Sequence, residues 1–468
     1  MSVPEKRGIS IMKILVENGC YHLRNMGDVA MLQIGVERLF HLFPQAEIKV
    51  LTDAPALLKR YLPRALAQDA AGRHIWFRDG VLLGGLHRFL PNALNPVFYT
   101  FERFLKRHLP ELVLWLVVKR EKLRKRDATR VQDFIHSLTE ADLLVVSGGG
   151  DLNDEFADYA LTLLDVLYLA RIKGVRVAML GQGIGPMRNK QLIAAARRSL
   201  PSVESLFVRE RLFAPELLAR LEVPIDRVFV TGDDAIEMAR RATPEELGTC
   251  IGVNIRMAPY SGIDQSRYQL VQKVLRKTLQ TFATRLLPVP ISFHETESDV
   301  VSIRDLLLGM KQGTDTDGGA SLDSPAALIE QVSHCRLVVT ASYHAAVFAL
   351  SQGIPAVCLA KSAYYIHKFE GLADQFASGC TVLLLDDEHF EVELEIIITH
   401  LWNEANSLRP QLLAAAHKQA DAANAAYSRL CHLSGDRRRE MVAADAKGVR
   451  EERRLARINS NRRKAGYQ

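Results

Sequence analysis

The chain has 468 residues, 48% of them hydrophobic, with 60 Lys and Arg against 54 Asp and Glu for a net charge of +6. That length exceeds what one hydrophobic core usually fills and predicts two domains, while the mild charge excludes a nucleic-acid partner. The excess is local: residues 73–130 hold 13 basic against 5 acidic side chains, or +8, and residues 436–468 hold 11 against 5, or +6.

Residues 1–10 are polar and no long apolar stretch follows, so no secretion signal is expected and the protein reads as cytoplasmic. Short β-rich runs then alternate with helical patterns, the signature of βαβ units around a parallel sheet. Residues 14–16 form the first expected strand, the loop Asn25-Met26-Gly27-Asp28 opens a helix carrying Met31, Ile34, Leu39 and Leu42, and residues 48–51 form the second strand. Residues 60–135 break the alternation with interleaved aromatic and basic side chains, including Trp76, Phe77, Phe89, Phe98, Tyr99, Phe101, Phe104 and Trp115, and predict a basic helical insert. Core packing accounts for most such aromatics; acceptor-sugar stacking or membrane contact is the alternative. The most apolar run, 109–118, is far below the ~20 residues a bilayer span needs and could only lie on a membrane.

Strands at 142–147, 175–180, 206–208 and 228–230, with helices at 156–173, 190–198 and 210–221, complete an N-terminal Rossmann-like domain over 11–240. Residues 239–246 read as the hinge, and strands at 251–255, 287–293, 337–339, 356–359 and 381–385 build a C-terminal Rossmann-like domain over 250–400. Residues 401–468 read as C-terminal helices that cross back to brace the first domain, ending in a basic, disordered tail. The fold class is therefore α/β, two Rossmann-like domains facing a cleft.

Two glycine elbows stand directly behind apolar strands: Ser147-Gly148-Gly149-Gly150-Asp151 and Gly181-Gln182-Gly183-Ile184-Gly185-Pro186. Glycines at strand ends let the backbone approach a ligand and open its N–H groups toward an anion. The second elbow is not the GxGxxG fingerprint opening a helix, so no nicotinamide cofactor is expected. Asp28, Arg209 and Asp233 also follow strands, and open parallel sheets bind ligands at the carboxyl ends of their strands. In the second half Arg256 directly follows a strand, where a guanidinium can grip a carboxylate or phosphate with two parallel bonds. His294 follows the next strand, and Thr340-Ala341-Ser342-Tyr343-His344 the one after, with His344 suited by type to proton transfer near neutrality. Each has a plain structural alternative: Asp28 as a helix cap, the triglycine as a tight turn, His344 as a core side chain. Their shared placement at strand ends is what favours a site. Six cysteines without CxxC spacing read as reduced thiols, and no His, Asp or Cys spacing calls for a metal.

These segments, with Val208-Arg209-Glu210, Thr231-Gly232-Asp233, Gly252-Val253-Asn254-Ile255-Arg256, Gly353-Ile354-Pro355 and the pair Tyr365 and Lys368, resemble the polysaccharide pyruvyl transferases. The resemblance implies two facing α/β domains similar to the GT-B arrangement; the helical insert in the first domain, at 60–135, and the tail of the helical C-terminal extension lie outside it. It implies transfer of a pyruvyl group from phosphoenolpyruvate to sugar hydroxyls, with ketal formation, in cell-surface or exopolysaccharide biosynthesis. Phosphoenolpyruvate is then the donor substrate, with no cofactor, and the partner is a sugar or lipid-linked oligosaccharide. Under this donor, His344 is the expected acid, Arg256 and Lys368 the anion clamps, and Asp28 or Asp151 the base. Asn25, Gly27, Gly149, Gly150, Gln182, Gly183, Gly185, Arg209, Asp233, His294, Ser342 and Tyr365 are the expected substrate contacts. The acceptor is expected on the first domain and the donor on the second, with peripheral contact to the inner face of the cytoplasmic membrane through the basic insert. Members commonly carry an arginine two residues before the histidine matching His344, where this chain has Ser342. Two other readings stay open: a GT-B-like glycosyltransferase using a nucleotide sugar, and a non-catalytic glycan-binding or assembly protein.

Overall fold

The structure, a computed structural model, describes residues 11–78, 80–82, 95–123, 127–256, 262–295, 298–308, 310 and 317–434. The expected basic tail, 435–468, lies outside them.

The first half opens with β1 (Lys13–Glu17), α1 (Met26–Leu42), β2 (Glu47–Thr52), α2 (Pro55–Tyr61) and β3 (Leu66–Asp69). Four helices follow: α3 (Ala71–Phe77), α4 (Asn95–His108), α5 (Pro110–Leu123) and α6 (Thr129–Glu140). The sheet resumes with β4 (Leu143–Val146), β5 (Gly149–Leu152), α7 (Ala157–Ile172), β6 (Arg176–Ile184), α8 (Lys190–Ser199), β7 (Ser205–Val208), α9 (Ala214–Arg220), β8 (Val228–Val230) and α10 (Ala235–Arg241). These strands form a parallel sheet of order β3-β2-β1-β4-β6-β7-β8, with β5 paired to β6 off that path. Its central members are continuous apolar runs such as Leu143-Leu144-Val145-Val146, as a parallel sheet covered by helices on both faces requires.

The second half comprises β9 (Cys250–Asn254), α11 (Gln265–Thr281), β10 (Leu286–Pro288), α12 (Asp299–Leu308), α13 (Pro325–Ser333), β11 (Cys335–Thr340), α14 (Tyr343–Ser351), β12 (Ala356–Ala360), α15 (Ala363–Phe376), β13 (Cys380–Leu384) and α16 (Phe390–Ser428). Its sheet is parallel, in the order β10-β9-β11-β12-β13.

Four local expectations are corrected. Residues 66–69, placed in the helical insert, are the edge strand β3, in register with β2 from Lys49↔Leu66 to Thr52↔Asp69. Leu-Ala-Gln-Asp carries no strand alternation, and only Gln68 is buried, as an edge permits. The strand expected over 287–293 stops at Pro288, because Pro288 and Pro290 have no N–H to continue a ladder. The second elbow is mostly not a turn: β6 runs through Gly181 to Ile184, and β5 lies beside it with Gly149↔Gln182 and Leu152↔Ile184 paired. Residues 239–241, read as hinge, are helical, and α10 seats Ala235, Ile236 and Ala239 against Ala345, Ala346 and Ala349 of α14 in one core.

α16 ties the halves together. Phe390, Leu394, Ile398 and Leu401 pack with β9 residues Ile251 and Val253. At its far end Ala426 and Tyr427, with Leu430 and Leu433 beyond, pack with Ile14 and Val16 of β1. The Tyr427 hydroxyl donates to Asp234 Oδ2 at 2.8 Å, and Arg38 Nη1 meets Asp234 Oδ1 at 2.5 Å. Among the described residues, no helix is long and apolar enough to cross a membrane.

Candidate active site

Three helices begin at the edge where the two sheets face each other. Asn25 caps α1, its Oδ1 accepting from the Gly27 N–H at 3.1 Å and the Asp28 N–H at 3.3 Å. Ser342 precedes α14, and Ser362 caps α15 by accepting from the Tyr365 N–H at 3.3 Å. Each start presents partial positive charge, and at α1 the first N–H groups are taken up by Asn25 and Ile291. Their first residues line one cleft of about 520 Å³, with Asn25 and Asp28 from α1, Ser342, Tyr343 and His344 from α14, and Tyr364, Tyr365 and Lys368 from α15. Gly150, Asp151, Phe156, Arg209 and Arg256 complete its wall.

The cleft joins the halves directly. The Met26 N–H donates to the Ile291 carbonyl at 2.9 Å, the Phe293 N–H to the Arg24 carbonyl at 2.8 Å, and Asn25 bridges to Ser292. His344 lies flat on α1 at Gly27, where a Cβ would fall 2.0 Å from its Cγ and Nδ1. A Cβ at Gly150 would likewise fall 2.4 Å from Lys368 Nζ. Both glycines therefore serve close approach of a side chain from the opposite half, and this is the backbone freedom the elbow motif supplies at Gly150.

Charge is arranged in two groups. Removal from water pushes the Asp151 carboxyl up to about 6, with Asp28 adding to the rise, against Lys368 and Arg209. The same desolvation, with repulsion from Arg209, brings the Lys368 ammonium down to about 7, against the pull of Asp151 and Asp28. Lys368 Nζ also donates to the Tyr364 hydroxyl and stands 4.1 Å from that ring's centroid. Behind them, Arg209 Nε donates to the Gly181 carbonyl at 2.8 Å and faces Asp233 Oδ2 at 3.0 Å. Its Nη2 meets the Met31 sulfur at 2.8 Å, and its buried Nη1 has no hydrogen-bond partner among the described residues. Burial opposes charge on Asp233, but Arg209 and His344 outweigh it and hold the carboxyl down to about 2. His344 Nε2 stands 3.6 Å from Asp233 Oδ2, too far for a hydrogen bond.

Of the residues expected from sequence, Asn25, Asp28, Gly150, Asp151, Arg209, Arg256, Ser342, His344, Tyr365 and Lys368 line the cleft together. Gly27 and Asp233 stand behind it against His344, and Gly149 is packed on Asp151. Four are elsewhere. Gln182 is buried, its amide donating to the Ser147 carbonyl at 2.7 Å and the Leu180 carbonyl at 2.8 Å, so it braces the two elbows. Gly183 packs on the Gly149 and Gly150 backbone, Gly185 on Leu217, and His294 lies edge-on to His22. Arg256 is in the wall, but its Nε and Nη2 grip Asp299 at 2.7 and 2.8 Å, so the two-bond fork expected for substrate holds an internal carboxylate. Phe156, Tyr343 and Tyr364 were missed; the two tyrosines are sequence neighbours of His344 and Tyr365, and Tyr343 lies between cations, 5.2 Å from the Arg209 guanidinium and 5.7 Å from Lys368 Nζ. Among the described residues no cluster of ligating side chains could hold a metal ion.

The sequence model of the family described as polysaccharide pyruvyl transferase matches residues 25–362. No curated protein sequence matches the chain. Among solved structures, a putative UDP-N-acetylglucosamine 2-epimerase from Listeria monocytogenes is similar with a TM-score of 0.53 at 11% identity, over 89% of this chain and 94% of that one. UDP-GlcNAc 2-epimerase from Neisseria meningitidis, bound to UDP-GlcNAc, is similar with a TM-score of 0.47 at 13% identity, over 88% of this chain and 99% of that one. The first of these likenesses shows the fold, a GT-B-like pair of α/β domains.

Proposed function

The chain belongs to the polysaccharide pyruvyl transferase family, and on that premise we propose that it transfers a pyruvyl group from phosphoenolpyruvate to two hydroxyls of a sugar, in cytoplasmic assembly of a cell-surface or exopolysaccharide. The observation that carries this reading is the meeting in one cleft of three helix starts, the Arg209 Nη1 without a hydrogen-bond partner among the described residues, the amine of Lys368, a carboxyl with a raised pKa at Asp151, and His344. A donor bearing both a phosphate and a carboxylate calls for cations and N–H groups from several directions, and acid–base groups beside them.

In the reaction His344 delivers a proton to the methylene carbon of phosphoenolpyruvate, making the adjacent carbon oxocarbenium-like. A sugar hydroxyl adds there and gives its proton to Asp151. A second hydroxyl then displaces phosphate from the same carbon and closes the ketal. Two C–O bonds form and one C–O bond to phosphate breaks; one hydroxyl proton replaces the proton spent on the new methyl group, and the other leaves with phosphate. Arg209 and Lys368 hold the donor anion, and Arg256 positions the loop at Asp299. The absence of an arginine at Ser342 is met by cations from other elements, since Arg209 reaches the same cleft from behind β7 and Lys368 from α15. Asp28 and Asp151 face the acceptor, a free or lipid-linked sugar.

Thermal unfolding tests the donor. Phosphoenolpyruvate is expected to raise the melting temperature, by a few degrees at concentrations well above its Kd, and UDP or GDP sugars to leave it unchanged. Stabilisation by a nucleotide sugar and not by phosphoenolpyruvate would contradict the proposal.

A further inference from the structure

Away from the cleft, the α4–α5 hairpin carries apolar side chains on both faces. Its inner face is ordinary core: Val113 and Val117 are buried with Trp76 and Phe134. On its outer face Val97, Phe101 and Phe104 of α4 follow the four-then-three spacing of one helical stripe. Leu112, Trp115, Leu116 and Leu123, at i, i+3, i+4 and i+11, share one face of α5, and Leu109 at the joint is also exposed. The exposure is large, 51% for Phe101 and Phe104, 57% for Trp115 and 77% for Leu123. Soluble surfaces rarely concentrate large apolar side chains in this way unless something covers them.

The charges around the stripe identify the kind of cover. The hairpin's acids are turned inward or paired: Glu102 is buried against Lys106 at 2.8 Å, Glu121 is buried, and Glu111 pairs with Lys173. Lys119 and Lys122 stand exposed beside the stripe, with Lys119 Nζ 4.9 Å from the Trp115 ring centroid. The exposed charge that Lys119 and Lys122 set beside the stripe is positive, so a second copy of this face would be repelled and an anionic surface attracted.

We infer that the outer face of the α4–α5 hairpin docks on a bilayer containing anionic phospholipid, with Phe101, Phe104 and Trp115 in the headgroup–acyl boundary and Lys119 and Lys122 at the phosphates. Trp with long-stemmed cations around an apolar stripe is the composition that lies in such an interface. Each helix has 14 residues, about 21 Å, and so lies along the surface. The contact is coupled to the cleft through α7, which starts after Phe156 in the cleft wall and ends at Lys173, bonded to Glu111 at the start of α5. α7 itself is 16 residues, about 24 Å, long, a separation that suits an acceptor sugar carried on a lipid. The docking itself does not depend on the identity of the donor.

Co-sedimentation of the full chain with vesicles tests this, using phosphatidylcholine alone and phosphatidylcholine with about a third phosphatidylglycerol. Wild type is expected to bind the anionic vesicles at least tenfold more tightly, and the gap to shrink in high salt. The triple variant Phe101→Ser, Phe104→Ser, Trp115→Ser is expected to lose at least tenfold in binding with an unchanged melting temperature. Lys119→Gln with Lys122→Gln is expected to lose about fivefold per lysine, the equivalent of ~1 kcal/mol for each charge near the surface. As a second readout in the otherwise intact chain, Trp115 emission should shift to the blue on anionic vesicles, and the shift should vanish in Trp115→Phe. No binding by wild type, equal binding by wild type and the triple variant, or a concentration-dependent dimer abolished by the triple variant would each overturn the inference.

Discussion

Asp151 and Lys368 are displaced from their ordinary protonation by one cause, desolvation in a shared cleft, and in opposite directions. A base at Asp151 must be ionised and a clamp at Lys368 must be charged, so turnover should rise as pH passes about 6 and fall as it passes about 7. The two limbs belong to the coupled pair, and Lys368→Arg should carry the alkaline limb upward because a guanidinium stays charged. The stability sign is separate. A carboxyl whose folded pKa is raised contributes stability below its unfolded value and loses it as pH rises through the folded value. Asp151→Asn should therefore raise the melting temperature at pH 8, where Lys368 is largely neutral, while removing most turnover; an unchanged melting temperature at pH 8 would argue that Asp151 is not desolvated. At Gly27 an added methyl would meet His344 at 2.0 Å, so Gly27→Ala should displace the imidazole and cost about 10²-fold in kcat/KM. At this scale the sequence was informative about residue type and strand-end position, which is why ten chosen residues share the cleft wall. It was uninformative about long-range partners: nothing near Arg256 announces that Asp299 will occupy its fork, nor that Gln182 will turn inward to bond Ser147 and Leu180.

The elements show how a loop from one half comes to seal the other. Asp299, at the start of α12, accepts from the Ile291 and Ser292 N–H groups at 2.8 and 2.9 Å, from Asn254 Nδ2 at 2.8 Å and from Arg256. Burial opposes its ionisation, but Arg256 and these donors keep the carboxyl below the usual range. The loop it shapes is the one that bonds Asn25 and Met26 at the head of α1. Asp299→Ala leaves the Arg256 guanidinium buried without its carboxylate, and denaturant unfolding should show a loss of about 3–5 kcal/mol. Loss of activity is expected with it, because the first turn of α1 loses its support. Strand interiors such as 143–146 and 356–359 were legible because continuous apolar runs suit a doubly covered parallel sheet. Element ends were not: glycines that read as a turn at 181–184 are accommodated inside β6 because β5 packs its own glycines alongside, a pairing visible only once both strands are placed.

Across the whole molecule, α16 acts as a 39-residue strap from the second core to the first, ending with Tyr427 on Asp234, and Leu433 just beyond it lies beside β1. A chain ending at residue 405 should expose the apolar groove that Tyr427, Leu430 and Leu433 fill, and should melt lower and bind a hydrophobic dye; unchanged melting would mean the strap contributes no stability. The helical period after Phe390 and the return to the first domain were expected from the sequence, whereas the groove that is filled depends on which one the first sheet leaves open. The two-domain α/β architecture was legible from alternation and length, and the family from motifs spread over both halves. The chemistry assigned to the cleft meets its most direct test in phosphate release from phosphoenolpyruvate, measured with a panel of lipid-linked and polymeric sugars for wild type and His344→Ala. Pyruvyl transfer predicts release that depends on one class of saccharide, accompanied by a ketal on the sugar, and abolished in a folded His344→Ala chain. Saccharide-dependent release that persists undiminished in His344→Ala, or none with any acceptor while a nucleotide sugar is consumed, would contradict it.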